Sequence, residues 1–509
     1  MTQRFGLKET TIQQICAVLA RYPQVKKAIL YGSRAKGTYK NGSDIDLTLC
    51  GDANLTLQVL HKIMTELDDL LLPYTIDLSI LDHITDTDVL EHIQRVGVTF
   101  YEKTMSNNTR DLKQRALAYL DAQRDHLIHI STTIHANPEI GFQEFKASAL
   151  LCDELERAGF SVTRGIADLA TAFRAEARGD GDTPTIALLA EYDALPELGH
   201  ACGHNLMAAA ALGAALAVKH VLAELPGRVV VIGTPAEEGG GGKVILVERG
   251  IFNDVDAAMI VHPSNRNMVA RGSLASTRLF LEFSGKAAHA AAAPEEGINA
   301  LEAVILTFNN VNALRLHLRP DARVHGIITH GGTAANIIPD YAAAQFSVRA
   351  ATQGYAQEVL RRVIQCAQAG AAATGATLKY STKPSYAELI PNLTLARAFA
   401  DNWRALGVDI TDPRPNERMG STDMGNVSHV VPAIHPYIKI TTEGIGGHTP
   451  EFRDAAISPL GHDGMMLAAK GMAMTTIDLL SDPDLMARVK QEFVETVLKQ
   501  KVERLGRFE

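Results

Sequence analysis

Apolar positions along the chain fall into two rhythms: short continuous runs closed by Gly, Pro, Asn or Asp, and longer stretches with a helical period. The first reads as buried strand and the second as helix. Over residues 1–105 they predict a small α/β unit with a helix over 10–21, a strand over 27–31 and further strands over 44–49 and 75–81. The polar stretch 103–110, KTMSNNTR, has no apolar period and marks a linker or helix entry.

From residue 110 helices alternate with continuous apolar strands such as 185–189 and 228–232, the pattern of a parallel sheet covered on both faces. This predicts an α/β catalytic domain whose first part spans 110–270. Near residue 271 the order becomes strand (276–284), helix (297–316), two strands (324–329 and 341–350), helix (353–373) and strand (377–381). That β-α-β-β-α-β order predicts a ferredoxin-like insertion over 271–385. The α/β pattern resumes over 386–509, so the insertion interrupts one domain. The most apolar stretch, 206–218, is Ala-rich and ends at Lys219, short of the ~20 residues a spanning helix needs. It reads as a buried helix.

Composition narrows the class. At 509 residues the chain exceeds a single core, since cores stop growing near ~250–300 residues, and two or three domains are expected. Hydrophobic residues at 46% and charged residues at 21% exclude a disordered or fibrous chain. A net charge of −9 carries no basic surplus to neutralise phosphates, so general nucleic-acid binding is not expected. The opening MTQRFGLKET lacks the apolar core of a secretory signal, and the five cysteines are scattered without paired spacing. Both point to a cytoplasmic protein with reduced thiols and no membrane association.

The run 188–205, LLAEYDALPELGHACGHN, changes the picture most. A buried strand delivers Asp193 and then, past a Pro-containing loop, Cys202 and His204 at the mouth of the Ala-rich helix. Thiolate and imidazole are strong ligands for zinc-like ions, and loops after strand ends are where open α/β sheets carry their chemistry. The next strand, 229–233, runs into TPAEEGGGG, which sets Glu237 and Glu238 side by side in a glycine-rich turn. Adjacent carboxylates in such a turn point in different directions, so one can bind metal while its neighbour faces the water to be activated. A third strand, 257–261, ends at His262, and a late Gly-rich loop, 444–447, presents His448. A Cys-His pair, a Glu-Glu pair or a single histidine is by itself commonly structural or solvated. Here each follows a strand or glycine loop of the same domain, so all can converge on one edge of the sheet.

With these residues in place, the chain from about 117 to 482 resembles the co-catalytic metallopeptidases and amidohydrolases that include aminoacylases, hippurate hydrolase, auxin-conjugate amidohydrolases and p-aminobenzoyl-glutamate hydrolase. The resemblance is carried by HANPEIGFQEF (135–145), EYDALPELGHACGHN, TPAEEGGGG, VHPS around His262, GKAAHAAAAPEEGINAL (285–301), GGTAANIIPD (331–340), GSTDMGNVS (420–428) and GHTPEF (447–452). It implies hydrolysis of the amide bond of an N-acyl or N-aroyl amino acid or of a dipeptide, β-alanyl and basic dipeptides included. By the same resemblance Cys202, His204, Glu238, His262 and His448 hold one or two zinc or manganese ions, Glu237 is the general base and Asp193 a carboxylate supporting the ligands. His289 in the inserted domain is implied as the oxyanion donor, reaching the active site of a partner subunit, and Asn336 and Arg349 as the groups for the substrate's free carboxylate. A homodimer through the inserted domain is implied with them. Relatives of this branch carry Asp where this chain has Asn205. That leaves the number of ions open, because an amide cannot bridge two ions as a carboxylate does, whereas the Cys202 thiolate can.

The N-terminal run 31–49, YGSRAKGTYKNGSDIDLTL, places Gly32 and Ser33 at a strand-to-helix turn ahead of an Asp-x-Asp pair, Asp44 and Asp46. Alternate residues of a strand face one side. Both carboxylates can then hold magnesium against a nucleoside triphosphate whose tail meets the Gly-Ser turn. Asp77, on a second strand, completes the set as base or third ligand. The run resembles the minimal nucleotidyltransferase domain of antitoxin-type proteins, which implies magnesium and ATP there. Two readings compete with the amidohydrolase: a nucleotidyltransferase with the larger part as scaffold, and a nucleotide-responsive binding protein without hydrolysis. A thiol hydrolase built on Cys202 is disfavoured, because His204 is too near in sequence to be its base.

Overall fold

The computed structural model describes residues 3–22, 24–40, 42–51, 54–102, 107–414, 417 and 419–498. Residues 103–106 of the expected linker lie outside them. The chain separates into two compact units, Met1–Arg110 and Asp111–Glu509.

In the first unit the helix Glu9–Ala20 buries Ile12, Ile15, Val18 and Leu19 in one core with a four-stranded sheet. The strand order is Ile76–Ile80, Ile45–Gly51, Val25–Leu30, Val98–Glu102. The last strand was not legible in the sequence, because VTFYE is too short to show a period; it is completed by antiparallel pairing with Val25–Leu30. Ile45–Gly51 runs parallel to Ile76–Ile80, and their register sets Asp46 directly opposite Asp77.

In the second unit a six-stranded sheet has the order Ala433–Ile434, Ala257–Met259, Asp180–Ala190, Pro226–Gly233, Phe173–Arg178, Ser161–Arg164. The first four strands are mutually parallel and the last two antiparallel, so the sheet is mixed rather than parallel throughout. The reason lies in the residues: Phe173–Arg178 alternates Phe173, Ala175 and Ala177 inward with Arg174 and Glu176 outward. Its outward residues join Arg228 and Asp254 in a network of ion pairs. A one-sided strand of this kind suits antiparallel pairing.

Behind the sheet lies the Ala-rich helix His204–Val221, buried along nearly its whole length. Small side chains let it approach its neighbours closely, as where Gly213 meets Leu127 and Leu120. His204–Glu224 is long and apolar enough to cross a membrane by length and composition, but 83% of it is buried inside the fold.

The inserted piece is a separate sheet, ordered Arg323–His330, Tyr341–Ala350, Ala275–Ser284, Thr377–Thr382, with every neighbour antiparallel. Helices Ala300–Arg315 and Gln353–Thr374 close a second core over it, built from Leu279, Leu281, Phe346, Val304 and Val359 among others. This is the ferredoxin-like order. The first helix begins at Ala300 instead of 297, because the Asn299 side chain accepts the amides of Leu301 and Glu302 and so fixes the cap.

Candidate metal centre

The strand Asp180–Ala190 ends against the segment that carries Glu191 and Asp193, and the helix that follows starts at His204. Gly203 occupies the cap with φ +80°, and a Cβ there would lie 2.8 Å from Pro263. Only glycine lets the Cys202–His204 turn sit against the short strand His262–Ser264, which pairs with Tyr437–Lys439. His448 enters from the late glycine loop, anchored by its amide on Ala201 O at 2.9 Å. Its φ of +65° is a strained conformation for a non-glycine residue.

His204 and His262 are each oriented by the far ring nitrogen. His204 Nδ1 donates to Asp193 Oδ1 at 2.9 Å, and His262 Nδ1 donates to Pro263 O at 2.6 Å, which leaves both Nε2 atoms turned to the cluster, where they could hold a cation. Cys202 Sγ lies 3.5 Å from His262 Nε2 and 3.5 Å from His448 Nε2, and His448 Nε2 is 3.2 Å from Glu238 Oε1. Three overlapping sets have ligand atoms all within 4.8 Å of one another: Cys202, His204 and His262; Cys202, Glu238 and His448; His204, Glu237 and Glu238. Among the described residues the buried His204 Nε2 has no hydrogen-bond partner. A donor set of one thiolate, imidazoles and carboxylates closing on an unsatisfied nitrogen fits a divalent cation.

The Glu237-Glu238 turn is held from several directions. Ala236 adopts φ +58° and donates its amide to buried Glu144, Glu238 donates its amide to Asp193 Oδ2, and the Tyr386 hydroxyl donates to Glu237 O at 2.7 Å. Burial, with Glu191, Glu238 and Asp423 nearby, pushes the Glu237 carboxyl well above the usual carboxylate range. Glu238 goes the other way: burial opposes its charge, but hydrogen bonding from His448 and the His204 charge lower it. Burial likewise opposes charge on Asp193, and His204 outweighs it and holds Asp193 below its ordinary value. His262 falls to about 4 through burial and the neighbouring His204, which keeps its imidazole neutral.

Asn205 does not face this cluster; its amide nitrogen donates to Ser131 Oγ at 2.9 Å and to Ala456 O at 3.3 Å, tying the helix to its neighbours. The concern that an amide had replaced a bridging carboxylate therefore falls away. Arg349 lines the same cavity of about 300 Å³ as Cys202, Glu237, Glu238, His262 and His448. His289 and Asn336 do not line it. They lie together on the inserted domain, where Ala290 donates to Asn336 O, and both are exposed.

Sequence reasoning missed a buried ionic group behind the cluster. Lys243 Nζ lies 2.5 Å from Glu191 Oε1 and 2.8 Å from Asp423 Oδ1, all three fully buried at the side chain or nearly so. Glu191 Oε2 is in turn 3.4 Å from His204 Nε2. The three residues come from distant segments, so no local motif joined them.

In the first unit Gly32 has φ +71°, and a Cβ there would lie 2.1 Å from Asp46 Oδ2, so the Gly-Ser turn abuts the carboxylate directly. Ser33 follows in the short helix Gly32–Ala35. Asp44 precedes its strand instead of lying on it. Burial, then Asp77 and Asp44, push the Asp46 carboxyl up. Among the described residues these three aspartates do not form a set within 4.8 Å, unlike the ligands above. Arg34, buried, donates to Ser43 O, Asp44 O and Phe5 O and holds the intervening loop.

Residues 187–481 match the family described as Peptidase family M20/M25/M40, and residues 13–106 match Polymerase beta, Nucleotidyltransferase. The chain is 40% identical over 398 residues to a Xaa-Arg dipeptidase of Mus musculus, covering 75% of this chain and 92% of that one. It is 33% identical over 448 residues to a p-aminobenzoyl-glutamate hydrolase chain of Escherichia coli (strain K12), covering 73% and 93%. A crystal structure described as a dinuclear metal binding peptidase from the M20 family, from Bacillus subtilis, superposes with a TM-score of 0.55 at 24% identity over 71% of this chain and 99% of that one.

Proposed function

Since the chain belongs to the M20/M25/M40 peptidase family and is a metallo-hydrolase with a nucleotidyltransferase domain joined to it, we propose that it cleaves the amide bond of an N-acyl or N-aroyl amino acid, or of a dipeptide, at the cluster around Cys202. The observation that supports this most is the closure of Cys202, His204, Glu238, His262 and His448 on one another beside Glu237. The named activities of the mouse and E. coli relatives, on a dipeptide and on an aroyl amino acid, are of this class.

A divalent cation held there supplies Lewis acidity toward the scissile carbonyl and the attacking water. Glu237 takes a proton from that water as its oxygen adds to the carbonyl carbon, and passes it to the nitrogen as the C–N bond breaks. Asp193 fixes His204 and the Glu238 amide. Cys202, His204 and Glu238 each belong to two of the three ligand sets, so the residues would hold either one ion or two. The thiolate favours zinc by softness, and the histidine and carboxylate ligands accept manganese.

Arg349 receives the substrate's free carboxylate. His289 Nδ1 accepts the amides of Ala291 and Ala292 at 3.2 Å, so its proton resides on Nε2, ready to donate to an oxyanion. Because His289 and Asn336 lie outside the cavity lining, we assign both to the active site of the partner in a homodimer formed through the inserted domain. The exposed edge strand Arg323–His330, with Ile327 and Ile328 bared, suits such pairing; a monomer in sedimentation equilibrium counts against it. The five unpaired cysteines support a cytoplasmic setting.

Dialysis against a chelator is expected to abolish hydrolysis of a panel of N-aroyl-glutamates and dipeptides, with manganese or zinc restoring it. Hydrolysis that persists without metal sinks the proposal. A second reading, nucleotidyl transfer, is favoured by the Asp46–Asp77 register and the Gly32 turn. Asp46 and Asp77 would hold magnesium there, whose charge would offset the burial and crowding that raise Asp46. Label transfer from ATP to any acceptor is expected to vanish in Asp44→Ala combined with Asp46→Ala, and unchanged labelling removes that reading.

A further inference from the structure

One wall of the catalytic cavity is basic. Arg271, Arg278, Arg349 and Lys383 line it, while the acidic residues among its described lining are Glu237 and Glu238, both committed to the metal chemistry. Ser276 pairs with Arg349 across neighbouring strands of the inserted sheet, and with a strand period of two Arg278 shares their face. The Arg278 guanidinium lies over Gly239, the residue after Glu238, its Nη1 only 2.7 Å from where a Cβ would stand. Lys383 follows the adjacent strand and donates its amide to Arg278 O at 3.1 Å. Burial and the Arg278 charge together hold the Arg349 guanidinium below its ordinary value.

Among the described residues Arg278, Arg349 and Lys383 make no ion pair. Cations gathered in one cavity without carboxylate partners repel one another, and a bound anion relieves that repulsion. One guanidinium suffices for the free carboxylate of an amino acid, and Arg349 has that task above. Two cations remain.

We infer that Arg278 and Lys383 form a second anion subsite, which selects substrates whose released amino acid carries a side-chain carboxylate over those with a neutral or basic side chain. The subsite rests on the amidohydrolase reading of the cavity. A guanidinium fork against a carboxylate gives charge-assisted, bidentate recognition, whereas a basic side chain meets like charge.

The test uses the full chain loaded with manganese and N-benzoyl-glutamate, N-benzoyl-glutamine and N-benzoyl-arginine. The glutamate compound is expected to exceed the glutamine compound by about tenfold or more in kcat/KM, chiefly through KM, with arginine lowest. Arg278→Gln and Lys383→Gln, both at exposed side chains, each bring the glutamate-to-glutamine ratio toward one. Equal use of glutamate and glutamine, a preference for arginine, or a ratio untouched in both variants overturns the subsite. Calorimetric binding of the same compounds to manganese-loaded Glu237→Gln reads the ratio without turnover. Absent hydrolysis with tighter glutamate binding thus counts against the amidohydrolase alone, and equal or absent binding counts against the subsite.

Discussion

Glu237→Gln is expected to keep its bound cation and to lose turnover by about 10²–10⁴-fold, the range a positioned proton-transfer group supplies. The substitution preserves shape and removes the one property the mechanism needs, a carboxylate that accepts and returns a proton. The proposed ligands are other residues, Cys202, His204, Glu238, His262 and His448, so metal content measured by atomic emission should stay at the level of the unmodified protein. The environment supports the assignment: burial, with crowding by Glu191, Glu238 and Asp423, raises the affinity of Glu237 for a proton. Removing its charge therefore also relieves repulsion among buried carboxylates, and the metal-free variant should unfold at a higher temperature than the metal-free parent. Full activity in Glu237→Gln would falsify the base assignment, and loss of metal together with activity would recast Glu237 as a ligand.

Why the sequence showed this site and not its supports follows from where the information lies. Cys202, His204, Glu237, Glu238 and His262 stand at ends of strands that read as apolar runs, so local pattern placed each at the sheet's edge. Glycine marked the turns, since the approach of Gly203 to Pro263 admits no side chain. The cluster of Lys243, Glu191 and Asp423 spans three distant segments, and nothing local to any of them announces burial; a lysine reads as solvent-facing until its partners are known. The antiparallel strands Ser161–Arg164 and Phe173–Arg178 were missed for a related reason. Their alternation is short, and Phe173–Arg178, on which Ser161–Arg164 pairs, is itself placed by Pro226–Gly233 far along the chain. The cavity's cations likewise gather from separate strands of the insertion, so their common charge appears only once the sheet is assembled.

Lys243→Met is expected to destabilise the second unit by about 3–5 kcal/mol, read from urea unfolding, because it strands two buried carboxylates without their cation. Lys243 touches Glu191 and Asp423 through its ammonium, and its amide donates to Asp423 Oδ2 at 2.9 Å. Methionine fills similar volume, so the loss measures charge and not a cavity. The sign with pH follows from Asp423, whose carboxyl burial already raises to about 6 despite Lys243. A carboxyl raised in the folded state binds more protons there than in the unfolded chain, so its contribution to stability falls as pH rises from the ordinary aspartate value through about 6. Without Lys243 the Asp423 carboxyl rises further and the falling limb extends upward, so the variant's deficit should be smaller at pH 5 than at pH 8. Adding Asp423→Asn and Glu191→Gln to Lys243→Met should recover part of the loss, since a wholly neutral group leaves no buried charge unpaired. A deficit equal at both pH values, unmoved by the neutral triple variant, would mean that Lys243 acts through packing. The charge arrangement behind His204 and Glu237 would then have to be set by the bound metal alone.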